Sequence, residues 1–245
     1  MSTIALITGG NRGLGLATAT ALARTGATVI IAGRDLEAVR CAADGLLAEG
    51  LRAEPLMLDV ASPASVAEAA DEIGERHGHL DILVNNAGIL PEASARGDHD
   101  FVDLAAFAST FETNVLGVAT VTEKFLPLLR RSTAGRIVNV SSTMGSLSDQ
   151  SDESSPYYSS IVPAYQASKA AVNSMTIGLS KQLAGTPLKV TSVCPGWVQT
   201  DLAPGNRDQA PTSADEAARI VVTAATLPDH AESGTFISSG GAVAW

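Results

Sequence analysis

Short apolar runs rich in β-branched residues alternate along the chain with longer stretches of helical periodicity. Runs of this length are typical of buried strands, and helices between them are typical of a parallel sheet. The predicted strands are residues 3–8, 28–31, 54–58, 81–85, 136–140, 188–193 and 235–237. The pattern therefore predicts a doubly wound α/β fold in which helices cover both faces of a seven-stranded parallel sheet.

Capping residues mark several joints between the predicted strands and helices. Ser62 followed by Pro63 fits an N-cap with proline in the first helical position, and Ser213 with Glu216 fits a capping box. No repeat, charge block or linker interrupts the alternation. We therefore expect one domain over residues 1–245.

Two long segments break the alternation, and each follows a predicted strand. Residues 142–163 are serine-rich and acidic, and residues 197–212 carry Pro204, Gly205 and Pro211. Long segments without predicted structure are usually binding loops or lids. Because ligands of open parallel sheets bind beyond the carboxyl ends of the strands, we expect both segments to border a ligand site.

Composition and charge bear on the choice of partners. The 16 basic and 26 acidic side chains give a net charge of -10, which repels nucleic acid and anionic lipid. The longest apolar runs are shorter than the ~18 residues of a membrane span, and the N-terminus lacks the features of a signal peptide. We therefore expect a cytoplasmic protein that binds neither nucleic acid nor membranes.

The two cysteines, Cys41 and Cys194, lie far apart and have neither CxxC spacing nor a histidine-rich context. This arrangement indicates neither a disulfide framework nor a zinc site, so no metal is expected. Both thiols are expected to be buried.

A glycine-rich turn follows the first predicted strand and precedes an alanine-rich helical run. Its glycines let the chain bend tightly and approach a pyrophosphate, while free amides at the helix N-terminus attract the anion. Because the turn stands inside a βαβ unit, it predicts the dinucleotide site of a Rossmann fold. The residues expected to line this site are Gly9, Asn11, Arg12, Gly13, Leu14 and Gly15.

The end of the second predicted strand bears on which dinucleotide binds. An acidic residue there would hold the ribose 2′-hydroxyl of NAD, whereas an arginine would accept the 2′-phosphate of NADP. Arg34 follows the strand-end Gly33, and with Arg12 it could bind one phosphate from two sides. Asp35 could favour NAD, but its place before a helical run suits an N-cap. NADP(H) is therefore the expected cofactor, and a solvated surface charge is the alternative role of Arg34.

Polar residues also follow the third and fourth predicted strands. Asp59, which stands before Val60, could accept a hydrogen bond from the adenine amino group or serve as a turn carboxylate. Asn86, Ala87 and Gly88 could line the cofactor crevice, or they could only form a turn and satisfy strand-end amides. Both groups are candidates for cofactor binding because they stand at the carboxyl ends of strands.

Several motifs, in one order over essentially the whole chain, resemble those of the short-chain dehydrogenase/reductase family. The matching segments are Thr8-Gly-x-x-x-Gly13-x-Gly15, Asn85-Asn-Ala-Gly88, Asn114-Val-x-Gly117, Ser142, Tyr165-x-x-x-Lys169 and Pro195-Gly-x-x-x-Thr200. Residues 194–202 and 243–245 are similar to those of NADPH-dependent carbonyl reductases. The resemblance implies a Rossmann-fold oxidoreductase that transfers a hydride between a nicotinamide cofactor and a small carbonyl compound.

One departure from the family pattern concerns the segment between Ser142 and Tyr165. Most members place the serine closer to the tyrosine, so residues 143–163 contain an insertion, which includes Tyr157 and Tyr158. The carbonyl reductases also carry an insertion here, and it covers a face that other members use for oligomer contacts. The sequence is therefore compatible with a monomer and with a homo-oligomer.

Tyr165 and Lys169 stand four residues apart in a predicted helix over residues 164–184, so they share one face. A unit charge ~4 Å from a phenol contributes about 4 kcal/mol at an effective dielectric constant near 20, but only about 1 kcal/mol in bulk water. We therefore expect Lys169 to lower the phenol pKa only in a partly desolvated crevice. The resemblance implies that Tyr165 is the general acid and that Lys169 also binds the nicotinamide ribose.

The resemblance assigns two further catalytic positions. Ser142 is similar to the serine that holds the substrate carbonyl; its neighbour Ser141 competes for this role, but only Ser142 puts Gly145 at the family's spacing. Asn114 lies inside a helical pattern over residues 111–129, where an amide side chain has poor helix propensity. By resemblance it anchors a water molecule beside the lysine, and a satisfied core amide is the alternative.

The segment after the sixth predicted strand is the last candidate for cofactor contact. By resemblance, the Val198 backbone and the Thr200 hydroxyl hold the nicotinamide carboxamide after the turn at Pro195 and Gly196. A simple turn with a capping threonine is the alternative. Trp197 could form a wall of the substrate pocket or pack beneath the loop.

The leading functional hypothesis is an NADPH-dependent reductase of ketones or aldehydes, in which Tyr165 is the general acid and no metal takes part. An NAD-dependent alcohol dehydrogenase is the second interpretation, and cofactor preference separates the two. A non-catalytic NADP-binding sensor is the third. The joint presence of the tyrosine, lysine and serine argues against a sensor, since such a protein could discard any of them.

Overall fold

The apolar runs form the strands of one central sheet. In the computed structural model, which describes residues 2–94 and 100–245, the strand order is β3-β2-β1-β4-β5-β6-β7-β8. The strands are β1 Ile4–Thr8, β2 Thr28–Gly33, β3 Ala53–Met57, β4 Ile82–Asn85, β5 Arg136–Val140, β6 Lys189–Cys194, β7 Thr235–Ser238 and β8 Gly241–Ala242. Strands β1 to β7 pair in parallel, which confirms the predicted sheet, and β8 adds an antiparallel edge. A two-residue strand containing glycine leaves no apolar pattern, so β8 could not be predicted.

Helices lie between most of the strands. They are α1 Gly13–Arg24, α2 Leu36–Ala48, α3 Pro63–His77, α4 Leu104–Phe111, α5 Gly117–Leu129, α6 Leu147–Ser151, α7 Pro163–Gln182, α8 Asn206–Gln209 and α9 Ala214–Ala225. A π-helical turn, Glu112–Leu116, joins α4 to α5, and 3₁₀ turns occupy Pro91–Ser94 and Thr143–Gly145.

The core consists of two apolar clusters, one on each face of the sheet. On one face, Leu22 of α1, Val39 of α2 and Val221 of α9 pack against strand residues. On the other face of the sheet, Ile73 of α3 and Phe125 of α5 pack against strand residues. Removal of this apolar surface from water is the main force that holds the helices on the sheet. The doubly wound arrangement predicted from the pattern is thereby confirmed.

The predicted N-caps are present. The Ser62 hydroxyl accepts from the Ser65 amide at 3.3 Å, with Pro63 in the first turn of α3. The Ser213 hydroxyl accepts from the Glu216 amide at 3.2 Å at the start of α9. These caps satisfy amides that have no partner within the helix.

Three expectations need correction. The two segments predicted to lack structure carry the short helices α6 and α8, the first capped by the Ser146 hydroxyl at the Asp149 amide. The helical pattern predicted over residues 111–129 begins earlier, at Leu104, and contains the π turn. Cys41 is exposed rather than buried, because it lies on the outward face of α2; Cys194 is buried as expected.

The helical run over residues 104–129 is long and apolar enough, by length and composition, to cross a membrane. In this fold it forms part of the helical layer on the sheet. Phe125 and Leu129 are fully buried in the cluster beneath it, and Asn114 hydrogen-bonds to the loop after β4. A core helix of a folded domain can have this length and composition.

Candidate active site

The predicted glycine turn stands between β1 and α1, at the carboxyl edge of the sheet. Gly9 and Gly13 have φ values of 61° and 53°, which lie in a backbone region that residues other than glycine rarely adopt. A Cβ atom at Gly15 would lie 2.6 Å from Asn86 Nδ2. No larger residue fits there without displacing its neighbours, so the turn depends on these glycines.

The N-terminus of α1 presents backbone amides at this edge. Its N-cap is Arg12, whose side chain makes no capping hydrogen bond, and its first turn contains no acidic residue. The first amide to form a helical hydrogen bond is that of Leu16, which donates to the Arg12 carbonyl at 3.2 Å. The amides of residues 13–15 thus have no acceptor within the helix, and the cradle fits a pyrophosphate.

The side chain of Asn86 has a structural role in this cradle. Its Nδ2 donates to the carbonyls of Thr8 and Gly9 at 2.9 and 3.2 Å. The Thr8 hydroxyl accepts from the amides of Asn86 and Ala87, both at 3.0 Å. Of the two interpretations of this motif, the contacts show that it fixes the strand ends and the turn. Contact of residues 86–88 with a cofactor stays a prediction.

Asp59 also has a structural contact. Its Oδ1 accepts from the Ala61 amide at 3.0 Å, and its own amide donates to Ser65 Oγ at 3.0 Å. Asp59 is therefore a turn carboxylate, and adenine recognition by it stays a prediction. Val60, the next residue, lies against α5, where a Cβ atom at Gly117 would be 3.1 Å from its side chain.

The two arginines of the predicted phosphate site lie near the glycine turn. The Gly10 amide donates to the Ala32 carbonyl at 3.0 Å, which joins the turn to the end of β2, where Arg34 follows. Arg34 is exposed and forms no ion pair within residues 2–94 and 100–245. Arg12, in contrast, pairs with Asp201, Nη1 to Oδ2, at 3.0 Å.

Asp35 is the N-cap of α2, as expected. Its Oδ1 accepts from the amides of Glu37 and Ala38, both at 3.1 Å. This oxygen is therefore engaged with the helix, which weakens the argument for a ribose-binding carboxylate at the end of β2.

Asp201 connects the loop after β6 to the glycine turn. Its carboxylate also accepts from Arg207, Nη2 to Oδ2, at 2.8 Å. Hydrogen bonding from Arg207, with smaller contributions from the charges of Arg207 and Arg12, holds the pKa of Asp201 below its usual range. All three side chains reach solvent, so this network contributes little to stability but defines how the two loops meet.

Tyr165 and Lys169 share one face of α7, as predicted, and both are buried, with 7% and 5% of their surface exposed. Lys169 Nζ lies 5.4 Å from the centroid of the Tyr165 ring. The ammonium donates to the Val140 carbonyl, at the end of β5, at 2.8 Å. The pair is thus fixed between α7 and the carboxyl edge of the sheet.

Burial has the largest effect on the protonation of this pair. It raises the pKa of Tyr165; the electrostatic interaction with Cys194 acts in the same direction, and a hydrogen bond with Ser142 lowers this pKa. Burial lowers the pKa of Lys169 to about 8, and Cys194 opposes this shift. Desolvation sets the direction of the Tyr165 shift and Lys169 is not among its causes, so the expected lowering of the phenol pKa by Lys169 is wrong. A phenol that keeps its proton at neutral pH suits a general acid.

Ser142 and Ser141 face different groups. The Ser142 hydroxyl interacts with the Tyr165 phenol and accepts from the Met144 amide at 3.1 Å. The Ser141 hydroxyl donates to the Lys169 carbonyl at 3.4 Å, on the backbone of α7. Ser142 is thus the serine that shares the site with the phenol.

Asn114 lies in the π turn and is 1% exposed. Its Oδ1 accepts from the Ile89 amide at 2.9 Å, and its Nδ2 donates to the Ile89 carbonyl at 3.0 Å and to Ser168 Oγ at 3.2 Å. A Cβ atom at Gly88 would lie 3.4 Å from Asn114 Oδ1 and 3.8 Å from Lys169 Nζ. The amide is satisfied by protein groups, so its predicted contact with a water molecule stays a prediction. π-helical turns such as the one that carries Asn114 are frequent at functional sites.

The loop after β6 returns to the glycine turn. A Cβ atom at Gly13 would lie 3.2 Å from Thr200 Cγ2, and Val198 pairs with Thr212 in a short parallel bridge. Pro195 and Gly196 form the turn before this bridge, and Gly196 has a φ of 84°. The structure therefore brings Thr200 to the pyrophosphate cradle.

Trp197 is half exposed, and its Nε1 donates to Asn206 Oδ1 at 2.9 Å. The indole is thus held against α8 of the same loop, and its place in a wall of the substrate pocket stays a prediction.

Comparison with known proteins gives the family. The family model for short chain dehydrogenase matches residues 3–211. The chain belongs to the short-chain dehydrogenase family. Short-chain dehydrogenase anuI of Penicillium roqueforti is 38% identical over 229 residues, which cover 91% of this chain and 88% of that protein.

Two further relatives of this short-chain dehydrogenase are reductases. Sulfoacetaldehyde reductase 2 of Chromohalobacter salexigens is 35% identical over 243 residues, which cover 94% of this chain and 91% of that protein. The NADPH-bound carbonyl reductase from chicken fatty liver has a TM-score of 0.84 and 27% identity, with 100% of this chain and 99% of that chain covered. Membership of the family makes the protein an oxidoreductase that binds a nicotinamide cofactor.

The sequence assigned no site role to three residues of this dehydrogenase that border the site. Cys194 influences both Tyr165 and Lys169 electrostatically, Asp201 binds Arg12, and Glu92 accepts hydrogen bonds from the first turn of α7. Each acts across a long stretch of sequence, so no local pattern marks it.

Proposed function

We propose that the protein is an NADPH-dependent reductase of ketones or aldehydes in which Tyr165 is the general acid. The observation that carries the proposal is the buried Tyr165–Lys169 pair at the carboxyl edge of the sheet, with the Ser142 hydroxyl at the phenol. A protonated phenol, an ammonium and a hydroxyl on one edge of the sheet can supply the proton and the oxygen contacts that reduction of a carbonyl requires beside a hydride donor.

Each residue has a separate task. Ser142 donates a hydrogen bond to the substrate carbonyl oxygen and holds it at the Tyr165 phenol. The carbonyl carbon would accept its hydride from NADPH when the cofactor is bound. Tyr165 gives its proton to the oxygen, so that an alcohol forms and a phenolate remains on the enzyme. The Lys169 ammonium stabilises the phenolate charge, strongly so because the site is desolvated.

The proposed preference for NADP(H) rests on Arg34 and Arg12 beside the glycine turn. Arg34 is exposed without an ion-pair partner in the described chain, so its guanidinium is free to bind a 2′-phosphate. Asp35, the carboxylate that would favour NAD, caps α2. The NADPH bound to the chicken carbonyl reductase supports the same preference by similarity.

The remaining cofactor contacts are proposed on position. The amides of residues 13–15 hold the pyrophosphate, with Gly9 and Asn11 beside them, and Asp59 and Val60 border the adenine. Residues 86–88 line the ribose side, Lys169 binds the nicotinamide ribose, and residues 195–200 hold the carboxamide through Val198 and Thr200. These groups all stand at the carboxyl edge of the sheet, where ligands of doubly wound folds bind.

The test is turnover by the purified protein. NADPH is mixed with a panel of aldehydes, ketones, diketones and quinones, and the loss of nicotinamide absorbance is followed, with NADH as the cofactor control. We expect consumption with at least one carbonyl class and a lower KM for NADPH than for NADH. Absence of turnover over the whole panel would reject the reductase. Faster reaction of NAD⁺ with alcohols would favour the alternative of an NAD-dependent dehydrogenase.

A further inference from the structure

The first turn of α7 contains two amides that the helix cannot satisfy. The helix begins at Pro163, which has no N–H, and its N-cap Val162 has no side-chain acceptor. The first amide to form a helical hydrogen bond is that of Gln166, which donates to the Val162 carbonyl at 2.9 Å. The amides of Ala164 and Tyr165 therefore need an acceptor from another part of the chain.

Glu92, on the 3₁₀ turn after β4, supplies both acceptors. Its Oε1 accepts from the Ala164 amide at 3.0 Å and its Oε2 from the Tyr165 amide at 2.9 Å. Ala164 is fully buried and Tyr165 nearly so, so an unpaired amide there would destabilise this turn. The negative charge also suits the positive end of the helix dipole.

The loop that carries Glu92 is fixed at its other end by Asn114. Both backbone groups of Ile89 hydrogen-bond to the Asn114 amide. Residues 89–92 therefore form a bridge, in which Asn114 holds one end and the backbone of Tyr165 holds the other. Gly88, which begins this loop, borders Lys169.

We propose that Glu92 is a positioning residue that fixes the Tyr165 phenol for proton transfer; this inference rests on the proposed reductase activity. Glu92 acts through the backbone of the helix and touches neither the phenol nor the substrate. If the first turn of α7 loosens, the phenol no longer stays within hydrogen-bond reach of the carbonyl oxygen. A displacement of ~1 Å in an active site can reduce the rate by roughly 100-fold.

The experiment compares Glu92→Ala and Glu92→Gln with Ser213→Ala in the full chain. Ser213→Ala removes an N-cap from α9 and so controls for loss of a cap as such. The measurements are kcat, KM for the carbonyl, the NADPH dissociation constant, thermal stability, and hydrogen exchange of the peptide covering residues 163–169.

For Glu92→Ala we expect kcat to fall roughly tenfold, KM and NADPH affinity to stay within about twofold, and exchange in residues 163–169 to accelerate. Glu92→Gln keeps one acceptor oxygen, so it should recover part of kcat. Ser213→Ala should lose thermal stability and keep kcat.

The proposal is overturned if Glu92→Ala keeps wild-type kcat, or if Ser213→Ala loses kcat to the same extent. If the wild-type protein itself has no turnover, the proposed function fails. In that case hydrogen exchange still tests whether Glu92 fixes the first turn of α7. Unchanged exchange in Glu92→Ala means that the carboxylate does not hold this first turn.

Discussion

Lys169 Nζ lies 5.4 Å from the centre of the Tyr165 ring while it donates to the Val140 carbonyl. The lysine is thus anchored to the sheet by one hydrogen bond and placed beside the phenol by its position one helical turn further along α7. This arrangement places the lysine nitrogen beside a buried tyrosine ring. Single substitutions separate the contributions of the phenol, the serine, the arginine and the ammonium.

Tyr165→Phe removes the proposed proton donor and keeps the ring that packs in the site. We expect NADPH affinity within about twofold of wild type and a loss of turnover of roughly 100- to 10,000-fold, the range associated with general acid catalysis. Stopped-flow or steady-state absorbance assays measure turnover, and fluorescence titration measures NADPH binding. Tyr158→Phe, a change at a half-exposed residue of the insertion, is the matched control and should be neutral. Equal turnover in the two variants would reject the assignment of Tyr165.

Ser142→Ala and Ser141→Ala form a second matched pair, since neighbouring serines face different groups. Ser142 interacts with the phenol, and Ser141 donates to the α7 backbone. We expect Ser142→Ala to lower kcat by roughly 100-fold, as for the loss of a hydrogen-bond donor to a developing oxyanion. Ser141→Ala should reduce thermal stability slightly and keep kcat within about threefold. A larger loss of kcat in Ser141→Ala would exchange the two assignments.

The strands and the Tyr165–Lys169 pair were predictable because they depend on local periodicity. A buried strand needs only a short apolar run, and a spacing of four residues places two side chains on one face of any helix. Spacing alone does not identify the active-site serine. The resemblance to the family favoured Ser142 over Ser141, and the contact of Ser142 with the phenol is consistent with that choice.

The contacts between loops were not predictable. Glu92 and Tyr165, or Arg12 and Asp201, meet only because parallel strands place their carboxyl ends along one edge. No pattern in the sequence pairs residues so far apart, and many other carboxylates could have filled these places. The phenol pKa was misjudged for a related reason: its direction depends on burial, which the spacing of two residues does not give.

Arg34→Asp tests the proposed phosphate site. The substitution replaces an exposed guanidinium at the end of β2 with a carboxylate, so it should repel a 2′-phosphate and accept a ribose hydroxyl. We expect NADPH affinity to fall at least about tenfold, the value of one charge-assisted hydrogen bond, and NADH affinity to stay equal or improve. Calorimetric titration with both nucleotides measures this. Arg40→Asp makes the same charge change at an exposed position within α2. Equal losses in both variants would mean that only net charge matters.

Lys169→Met tests the protonation of the buried ammonium. Because burial lowers the pKa of Lys169 from 10.5 to about 8, the unfolded chain binds a proton that the folded chain releases between these values. Stability therefore rises with pH across this window in wild type, and methionine removes the dependence. Relative to Lys169→Met, the wild-type free energy of unfolding should gain ~2 kcal/mol between pH 7 and pH 9.5, at 1.36 kcal/mol per pKa unit. Tyr165 is present in both proteins, so its opposite effect at higher pH cancels in the difference. Urea unfolding at the two pH values gives the measurement, and Lys181→Met, at an exposed lysine of the same helix, should show no such gain. If the wild-type and Lys169→Met curves run parallel with pH, the ammonium is not buried as the structure places it.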